Sequence, residues 1–284
     1  MSTIAYDPTR DALYRPERRE TIFERGKAYS PLQLAVEAAR LAYFRAEKSD
    51  AEQARLAEAL GRVGFADLGL FSNSKTGAAG FGARRSADGV ALLAFRGTQP
   101  DDIKDLLADA SAKLVPWGES AGQVHEGFAG DVRALKTQID EWFEKAQPDP
   151  WKLIVTGHSL GAAMGTLAAT IWQAEWLFTL GSPRVGNAEF TTTVAATKMV
   201  RLVDCSDIVT RLPPPVHGYE HVKGCTYLTR RADVIENPDP DFVCAERRVA
   251  GVEYMRRYAW KFWRNVLLRS FADHAPINYA RAFF

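Results

Sequence analysis

The sequence predicts an α/β fold, with a mostly parallel central sheet flanked by helices. Four short, largely apolar runs, of which the first is continuously apolar, are typical of strands that are buried on both faces of a sheet. They lie at 90–95, 152–156, 176–180 and 199–204. Three segments with helical periodicity separate or follow these runs, at 131–144, 160–173 and 187–196. Strands that alternate with helices form βαβ units, which build a parallel sheet with helices on its faces.

The first 85 residues predict a helical N-terminal elaboration. Residues 1–29 are polar and irregular, and we expect them to form an arm that lies on the domain. Ser30, followed by Pro31 and by Gln33 three residues after the serine, is the pattern of a capping box at a helix start. A second helix is predicted over about 51–63.

The segment 72–85 is rich in glycine and alanine and is expected to hold two short strands. Nothing in the alternating region that follows has the composition of a linker. We therefore expect a single domain over 1–284, with an N-terminal arm and helices over 1–85 and a catalytic core over 86–284.

Composition excludes several classes of protein. The 284 residues are 46% hydrophobic and 25% charged, and 36 basic residues against 35 acidic ones give a net charge of +1. A nucleic-acid-binding protein usually has a strongly basic balance, which is absent here. Three cysteines without a CxxC pair (Cys205, Cys225, Cys244) argue against a disulfide scaffold and a cysteine-rich zinc site. No secretory signal or membrane span is recognised, so a cytoplasmic protein is expected, with export by another route left open.

A GxSxG motif gives the strongest indication of chemistry. Gly157, Ser159 and Gly161 lie between an apolar run that ends at Thr156 and a helix that is expected to start at Leu160. This strand–turn–helix context is that of a nucleophile elbow, in which a sharp turn lifts a serine hydroxyl above the strand ends. Ser159 is therefore the predicted nucleophile.

Four sequence blocks occur in order along the chain, with a weaker fifth near its end. They are AFRGT (94–98), VHEGF (124–128), VTGHSLGAA (155–163), GSPRVGNAEF with DIVTRLPP (181–190 and 207–214), and DHAPINY (273–279). On these blocks the chain resembles the class 3 lipases of the α/β-hydrolase superfamily. The resemblance implies the α/β-hydrolase fold and hydrolysis of lipid or acylglycerol esters through an acyl-serine intermediate, with no cofactor and no metal.

A serine nucleophile needs a general base and an acid that orients the base, and superfamily members carry them in the order serine, acid, histidine. Asp207 is preferred as the acid because it follows the strand at 199–204, and the resemblance implies it too. Asp204 is the alternative from chemistry alone.

His274 is the preferred base among the three histidines that follow Ser159. In the family the catalytic histidine comes last, and an aromatic residue such as Tyr279 follows it. His217 and His221 are the alternatives. His125 in VHEGF is expected to be structural.

Two backbone donors are expected to hold the oxyanion that forms during ester hydrolysis. Leu160, which follows the nucleophile, supplies one N–H. By resemblance, Thr98 after the strand at 90–95 supplies the other. The segment 100–117 predicts an amphipathic helix that is either a mobile lid or fixed on the sheet; four aspartates near its start lead us to expect the fixed helix.

The segment 246–270 is basic and aromatic-rich. We expect a packed helix that carries the His274 loop, while weak contact with an anionic membrane surface stays open. Two functional alternatives also stay open. One is a phospholipase or small-ester esterase with the same triad, and the other is a hydrolase scaffold that binds a ligand without turnover. Apart from the ester, no partner is predicted.

Overall fold

One eight-stranded sheet forms the centre of the molecule. The computed structural model describes residues 4–97, 113–145, 151–194, 197–261 and 264–284. The strands in these ranges are β1 (Ala66–Ser72), β2 (Ala79–Arg85), β3 (Val90–Phe95), β4 (Leu114–Pro116), β5 (Gln123–His125), β6 (Lys152–His158), β7 (Trp176–Leu180), β8 (Lys198–Asp204), β9 (Thr226–Leu228) and β10 (Val234–Glu236). The large sheet has the order β1-β2-β3-β6-β7-β8-β9-β10, and β4 pairs with β5 in a separate hairpin.

The middle of the large sheet is parallel. Strands β3, β6, β7, β8 and β9 run in one direction, while β1 and β2 at one edge and β10 at the other pair antiparallel. Every residue of β3 is buried, and so is β6 after its first lysine. Continuous apolar sequence follows from this burial on both faces, and the predicted mostly parallel sheet is confirmed.

Helices cover both faces of this sheet. They are α1 (Arg10–Tyr14), α2 (Pro31–Leu41), α3 (Asp50–Gly61), α4 (Glu126–Glu144), α5 (Leu160–Ile171), α6 (Ala188–Val194), α7 (Pro240–Tyr258), α8 (Arg269–Ala272) and α9 (Pro276–Ala280). Apolar side chains of α4, α5 and α6 share one core cluster with β3, β6 and β7. The opposite cluster holds side chains of α2 and α3 against the same strands. The result is a three-layer arrangement with the parallel sheet in the middle.

The N-terminal region is joined firmly to the core. Ser30 and Gln33 form the predicted capping box at the start of α2. The fully buried carboxylate of Glu37 on α2 accepts hydrogen bonds from the Ile22 N–H (2.8 Å) and the Thr21 hydroxyl (2.9 Å), and it pairs with Arg40. These contacts fasten the N-terminal arm to a helix that itself packs on the central sheet.

Some local predictions need correction. The segment 72–85 holds only one complete strand, β2, because β1 ends at Ser72. Leu114, predicted on the apolar face of a helix over 100–117, begins β4 instead. The rest of that helix up to 112, and Thr98, lie outside the described residues. Cys205, Cys225 and Cys244 are free thiols. Among the described helices, none combines the length and apolarity that crossing a bilayer requires.

Candidate active site

Ser159 occupies a sharp turn between β6 and α5. Its backbone has φ 59° and ψ −128°, a region that residues with a side chain rarely adopt. A Cβ at Gly157 would overlap the backbone of Gly161, and a Cβ at Gly161 would overlap the carbonyl of Phe95. The two glycines of the GxSxG motif are therefore required by close backbone approach, and the turn holds Ser159 at the N-terminus of a helix.

A continuous chain of hydrogen bonds joins Ser159, His274 and Asp207. The Ser159 Oγ lies 2.9 Å from His274 Nε2, and His274 Nδ1 lies 2.7 Å from Asp207 Oδ2. All three residues are at most 1% exposed. Because the carboxylate can only accept, His274 Nδ1 carries the proton and Nε2 accepts from the serine hydroxyl. The geometry is that of a nucleophile, a base and an orienting acid.

The segment after β8 and the helix α9 together place the acid. Asp207 lies in the turn that follows β8, where its Oδ1 accepts from the Val209 N–H (2.8 Å). Its Oδ2 accepts from the Tyr279 hydroxyl (2.6 Å) as well as from His274. Burial, followed by the nearby Asp207, raises the pKa of Tyr279 well above its ordinary value, so this hydroxyl stays a donor. Tyr279 on α9 thus fixes the carboxylate orientation.

Asp204 has a different environment. One of its carboxylate oxygens accepts from the Cys205 N–H (2.7 Å), and the other, Oδ2, has no hydrogen-bond partner among the described residues. Burial and then the nearby Asp273 raise the pKa of Asp204 well above its ordinary value. Asp204 therefore tends to be neutral, and the structure places Asp207, not Asp204, against the imidazole of His274.

The other predicted histidine positions lie elsewhere. His221 Nε2 is 2.6 Å from the carbonyl oxygen of Thr210, and burial, followed by the positive charge of Arg201, lowers the pKa of His221 to about 3. His217 is exposed, in a short 3-10 turn. His125 accepts from two backbone N–H groups at the start of α4 and stacks on Phe128. The Ser159 hydroxyl donates its hydrogen bond to His274 Nε2 instead.

Two residues that the sequence analysis did not single out, His158 and Tyr43, form hydrogen bonds next to the triad. His158 Nε2 lies 2.7 Å from the backbone carbonyl oxygen of His274, and His158 Nδ1 lies 2.8 Å from the hydroxyl of Tyr43. Burial, then the neighbouring His274, lowers the pKa of His158 well below its ordinary value. The ring is therefore neutral. It donates a hydrogen bond through Nε2 to the His274 carbonyl oxygen, and its Nδ1 accepts a hydrogen bond from the Tyr43 hydroxyl.

The same tyrosine touches the loop after β3. A Cβ at Gly97 would overlap the Tyr43 hydroxyl and crowd the His158 carbonyl oxygen, so this loop lies directly on both groups. The backbone amide of Gly97 interacts with the hydroxyl, and it opposes the rise in the pKa of Tyr43 that burial causes. Tyr43 thus links the N-terminal region, the loop that leads to Thr98, and the backbone of His274.

Of the two predicted oxyanion donors, only Leu160 lies within the described residues. Leu160 is the first residue of α5, where backbone N–H groups have no partner within the helix and the helix dipole favours negative charge. A cavity of about 430 Å³ lies against Leu160 and Gly97. Met164 and Ala78 add apolar surface to its wall, while Asn73 and its neighbours add polar groups. The cavity thus borders the residue that follows the nucleophile in the sequence.

A metal centre has no candidate within the described ranges. No three His, Cys, Asp or Glu side chains in them are grouped so that they could hold a metal ion. The residues around Ser159 are instead a nucleophile, a base, an acid and backbone donors. A nucleophile, a base, an acid and backbone donors are the groups that acyl transfer to a serine uses.

Several known lipases are similar to this chain in sequence. Residues 92–217 match the family model of class 3 lipases. The chain is 34% identical to a lipase of Rhizomucor miehei over 156 residues, which are 49% of this chain and 42% of that protein. It is 33% identical to secreted mono- and diacylglycerol lipase A of Penicillium cyclopium over 169 residues, which are 56% of this chain and 55% of that protein. The chain thus spans about half the length of these relatives.

Similarity in structure extends further along the chain. The crystal structure of a mutant of the Penicillium cyclopium protein MDLA superimposes with a TM-score of 0.64 at 25% identity. The match covers 87% of this chain and 96% of that one. The matched family model includes Ser159 and Asp207, and the shared fold includes the parallel sheet that positions them. The chain is therefore similar to the class 3 lipases over residues 92–217 and has the α/β-hydrolase fold.

Proposed function

We propose that the protein hydrolyses carboxylic esters of lipids or acylglycerols through an acyl-serine intermediate. The hydrogen-bonded chain from Ser159 through His274 to Asp207 carries this proposal, because it supplies nucleophile, base and orienting acid in one buried geometry. The relatives named as lipases support the substrate class.

The reaction follows from the positions of these groups. The Ser159 Oγ attacks the ester carbonyl carbon while its proton passes to His274 Nε2, and the carbonyl oxygen becomes an oxyanion. The C–O bond to the leaving alcohol then breaks, and the alcohol takes the proton from His274. Water attacks the acyl-enzyme, again giving a proton to Nε2. This proton returns to the Ser159 Oγ as the carboxylic acid leaves.

The protein lowers the barrier by stabilising charge. Asp207 stabilises the imidazolium that forms when His274 takes the proton. We propose the Leu160 N–H, at the start of α5, as one donor to the oxyanion. We propose Thr98 as the second oxyanion donor, which would complete the pair of donors that such reactions use. Each such donor contributes about 10²–10³-fold to kcat in hydrolases of this type.

Substrate preference is tested with esters that differ in head group and chain length. Wild-type protein and the Ser159→Ala variant are compared on p-nitrophenyl esters, on mono-, di- and triacylglycerols, and on phosphatidylcholine. Hydrolysis of acylglycerols by the wild type alone supports the proposal. Preference for the phospholipid or for short soluble esters would instead support the alternative enzymes, and no turnover of any ester would favour a binding protein.

Removal of the Tyr43 hydroxyl should impair catalysis more than it impairs stability. In Tyr43→Phe, His158 Nδ1 and the Gly97 loop both lose their partner, so the backbone of His274 and the oxyanion loop are positioned less well. We expect kcat to fall about tenfold with KM nearly unchanged, because small misplacements at a reacting centre are costly. Steady-state kinetics with a soluble ester gives both constants.

The matched control for this change is Tyr29→Phe. The Tyr29 hydroxyl also makes two hydrogen bonds in the N-terminal region, to the backbone of Glu24 and Ile22, but it does not touch the site. This variant should keep the wild-type kcat. Equal kcat values for the two variants would show that Tyr43 has no role in positioning.

The raised pKa of Asp204 predicts a pH-dependent change in stability. The raised pKa means that the fold favours the protonated form of Asp204. Protonated Asp204 therefore contributes fully to the free energy of unfolding below about pH 4, the ordinary pKa of aspartate. This contribution is lost as the pH rises towards the pKa that Asp204 has in the folded protein. The amide introduced by Asp204→Asn cannot ionise. The melting temperature of this variant relative to wild type should therefore increase as pH is raised above about 4. Calorimetry over a pH series measures this difference, and a constant difference would show that Asp204 is ionised in the fold.

A further inference from the structure

The solvent-facing side of α7 is unusually apolar. Of the eight large apolar side chains that are exposed in the described ranges, five lie on α7 or on the 3-10 turn Ala259–Lys261 that extends it. They are Phe242, Val249, Val252, Met255 and Trp260, with exposed fractions between 41% and 65%. Apolar side chains that are grouped in this way, instead of scattered singly, mark an interaction surface.

These side chains are not needed to hold the helix on the domain. The opposite side of α7 already does so through buried Glu246, Ala250 and Tyr254. The Tyr254 hydroxyl donates to the carbonyl oxygen of Leu267 (2.7 Å), and the Ala250 carbonyl oxygen accepts from Arg269 (3.2 Å). The helix therefore has an inner face that packs on the domain and an outer face whose apolar area is left to solvent.

Basic side chains accompany the outer apolar face. Arg248 and Arg256 are exposed and fall on the same side of the helix as Val249 and Val252, because residues three and four apart are neighbours on a helix. Lys261 follows at the end, with its Nζ 4.8 Å from the centre of the Trp260 ring. We call Val249, Val252, Met255 and Trp260 with Arg248, Arg256 and Lys261 the α7 outer face.

Acidic residues do not neutralise this face. Glu253 is held by Arg230, with 3.0 Å between Oε2 and Nε, and buried Glu246 also pairs with Arg230. The other exposed acids of this segment, Asp239 and Asp241, lie at the N-terminal start of the helix, where Asp239 caps the backbone. From residue 248 onward the exposed charge is predominantly positive.

We propose that the α7 outer face binds an anionic lipid surface. A helix that presents valine, methionine and tryptophan beside arginine and lysine can insert its apolar side chains at the headgroup boundary while its cations meet anionic headgroups. A second copy of the chain fits less well. A two-fold contact brings the same patch onto itself, so it would press like charges together.

The inference is related to the proposed function, because an enzyme acting on lipid esters must reach substrates that assemble in such surfaces. The experiment that tests this inference measures vesicle binding and does not depend on ester hydrolysis. Ser159→Ala protein is floated with phosphatidylcholine vesicles that either contain or lack phosphatidylglycerol. We expect binding to the phosphatidylglycerol vesicles that weakens as salt is raised, and little binding to phosphatidylcholine alone.

Two variants in the same Ser159→Ala background then locate the contact. Arg248→Glu/Arg256→Glu reverses two charges on the α7 outer face and should lower the affinity for anionic vesicles at least about tenfold. Arg18→Glu/Lys223→Glu makes the same change in net charge at exposed positions outside this face and should bind as before. Circular dichroism melting verifies that both variants are folded.

Several results would overturn the inference. Equal vesicle binding by the two double variants would remove the α7 outer face from the contact, and equal binding to neutral vesicles would remove the role of charge. Absence of vesicle binding, together with a dimer that Val252→Asp disrupts in sedimentation experiments, would assign the face to a second copy. If the wild-type protein hydrolysed no ester, the proposed function would be contradicted, but the result of the vesicle-binding experiment would still stand.

Discussion

Replacement of Ser159 with alanine should lower kcat for ester hydrolysis by about 10³-fold or more. The serine oxygen is the atom that becomes acylated, and no other hydroxyl is placed against His274 in the hydrogen bonds that the structure shows. Without that oxygen, His274 and the oxyanion donors can only assist direct attack by water. Members of a triad act as a unit, so the loss approaches the whole contribution of the triad.

Thermal unfolding of this variant should hardly change. The Ser159 side chain contributes one hydrogen bond, to His274 Nε2, and alanine keeps the Cβ that already fits the turn. The stability measurement therefore separates loss of chemistry from loss of fold. A folded Ser159→Ala protein that retains a tenth of the wild-type rate would place the nucleophile elsewhere.

Asp207→Asn should reduce kcat by about 10⁴-fold, as in other triads in which an amide replaces the acid. The carboxylate accepts from His274 Nδ1, from the Val209 N–H and from the Tyr279 hydroxyl. An asparagine side chain can direct its NH₂ group at Nδ1, which favours the tautomer that carries the proton on Nε2. In that tautomer the imidazole cannot accept the serine proton.

Asp204→Asn is the matched control for this substitution. It makes the same chemical change three residues earlier, at a carboxyl that is also buried but does not contact His274. We expect this variant to keep kcat within a few-fold of wild type. If both proteins are folded and the Asp204 change is the more damaging, the assignment of Asp207 as orienting acid is wrong.

The sequence alone predicted the parts of the fold that have strong periodicity. Strand β3 is apolar at every position because both of its faces are covered, and α2 carries its capping box at the predicted residues. The three-residue strands β9 and β10 were missed, since such short segments are set by tertiary pairing instead of by local pattern. The same holds for the hairpin of β4 and β5, which takes Leu114 away from the predicted helix.

The candidate site was predictable only where local sequence determines geometry. The glycines around Ser159 reveal the elbow, because a side chain at either position would clash. The roles of Tyr43 and His158 depend on contacts between residues 115 and 116 positions apart in the sequence. Nothing in local periodicity indicates such contacts. His158 lies within the GxSxG motif, so its place beside the serine was the one signal that could have drawn attention to it.

Asp204 and Asp207 also show that local sequence does not determine which residue reaches the site. Both are acids at the end of one strand, and both are buried. The turn after β8 brings Asp207 onto the imidazole, while Asp204 faces Asp273 and remains without a partner for one oxygen among the described residues. Their difference arises from α8 and α9, which are distant in the sequence.

Fluorophosphonate labelling with mass spectrometry tests the central claim most directly, because the oxygen of a serine activated by its base displaces fluoride from the reagent and becomes phosphonylated. We predict one adduct per chain, located on Ser159 in the digest. It should be absent from Ser159→Ala and strongly slowed in His274→Ala and Asp207→Asn, but formed at nearly the wild-type rate in Asp204→Asn. A folded wild-type protein that remains unlabelled, or that carries the adduct on another residue, would contradict the assignment of Ser159, His274 and Asp207 as a working triad.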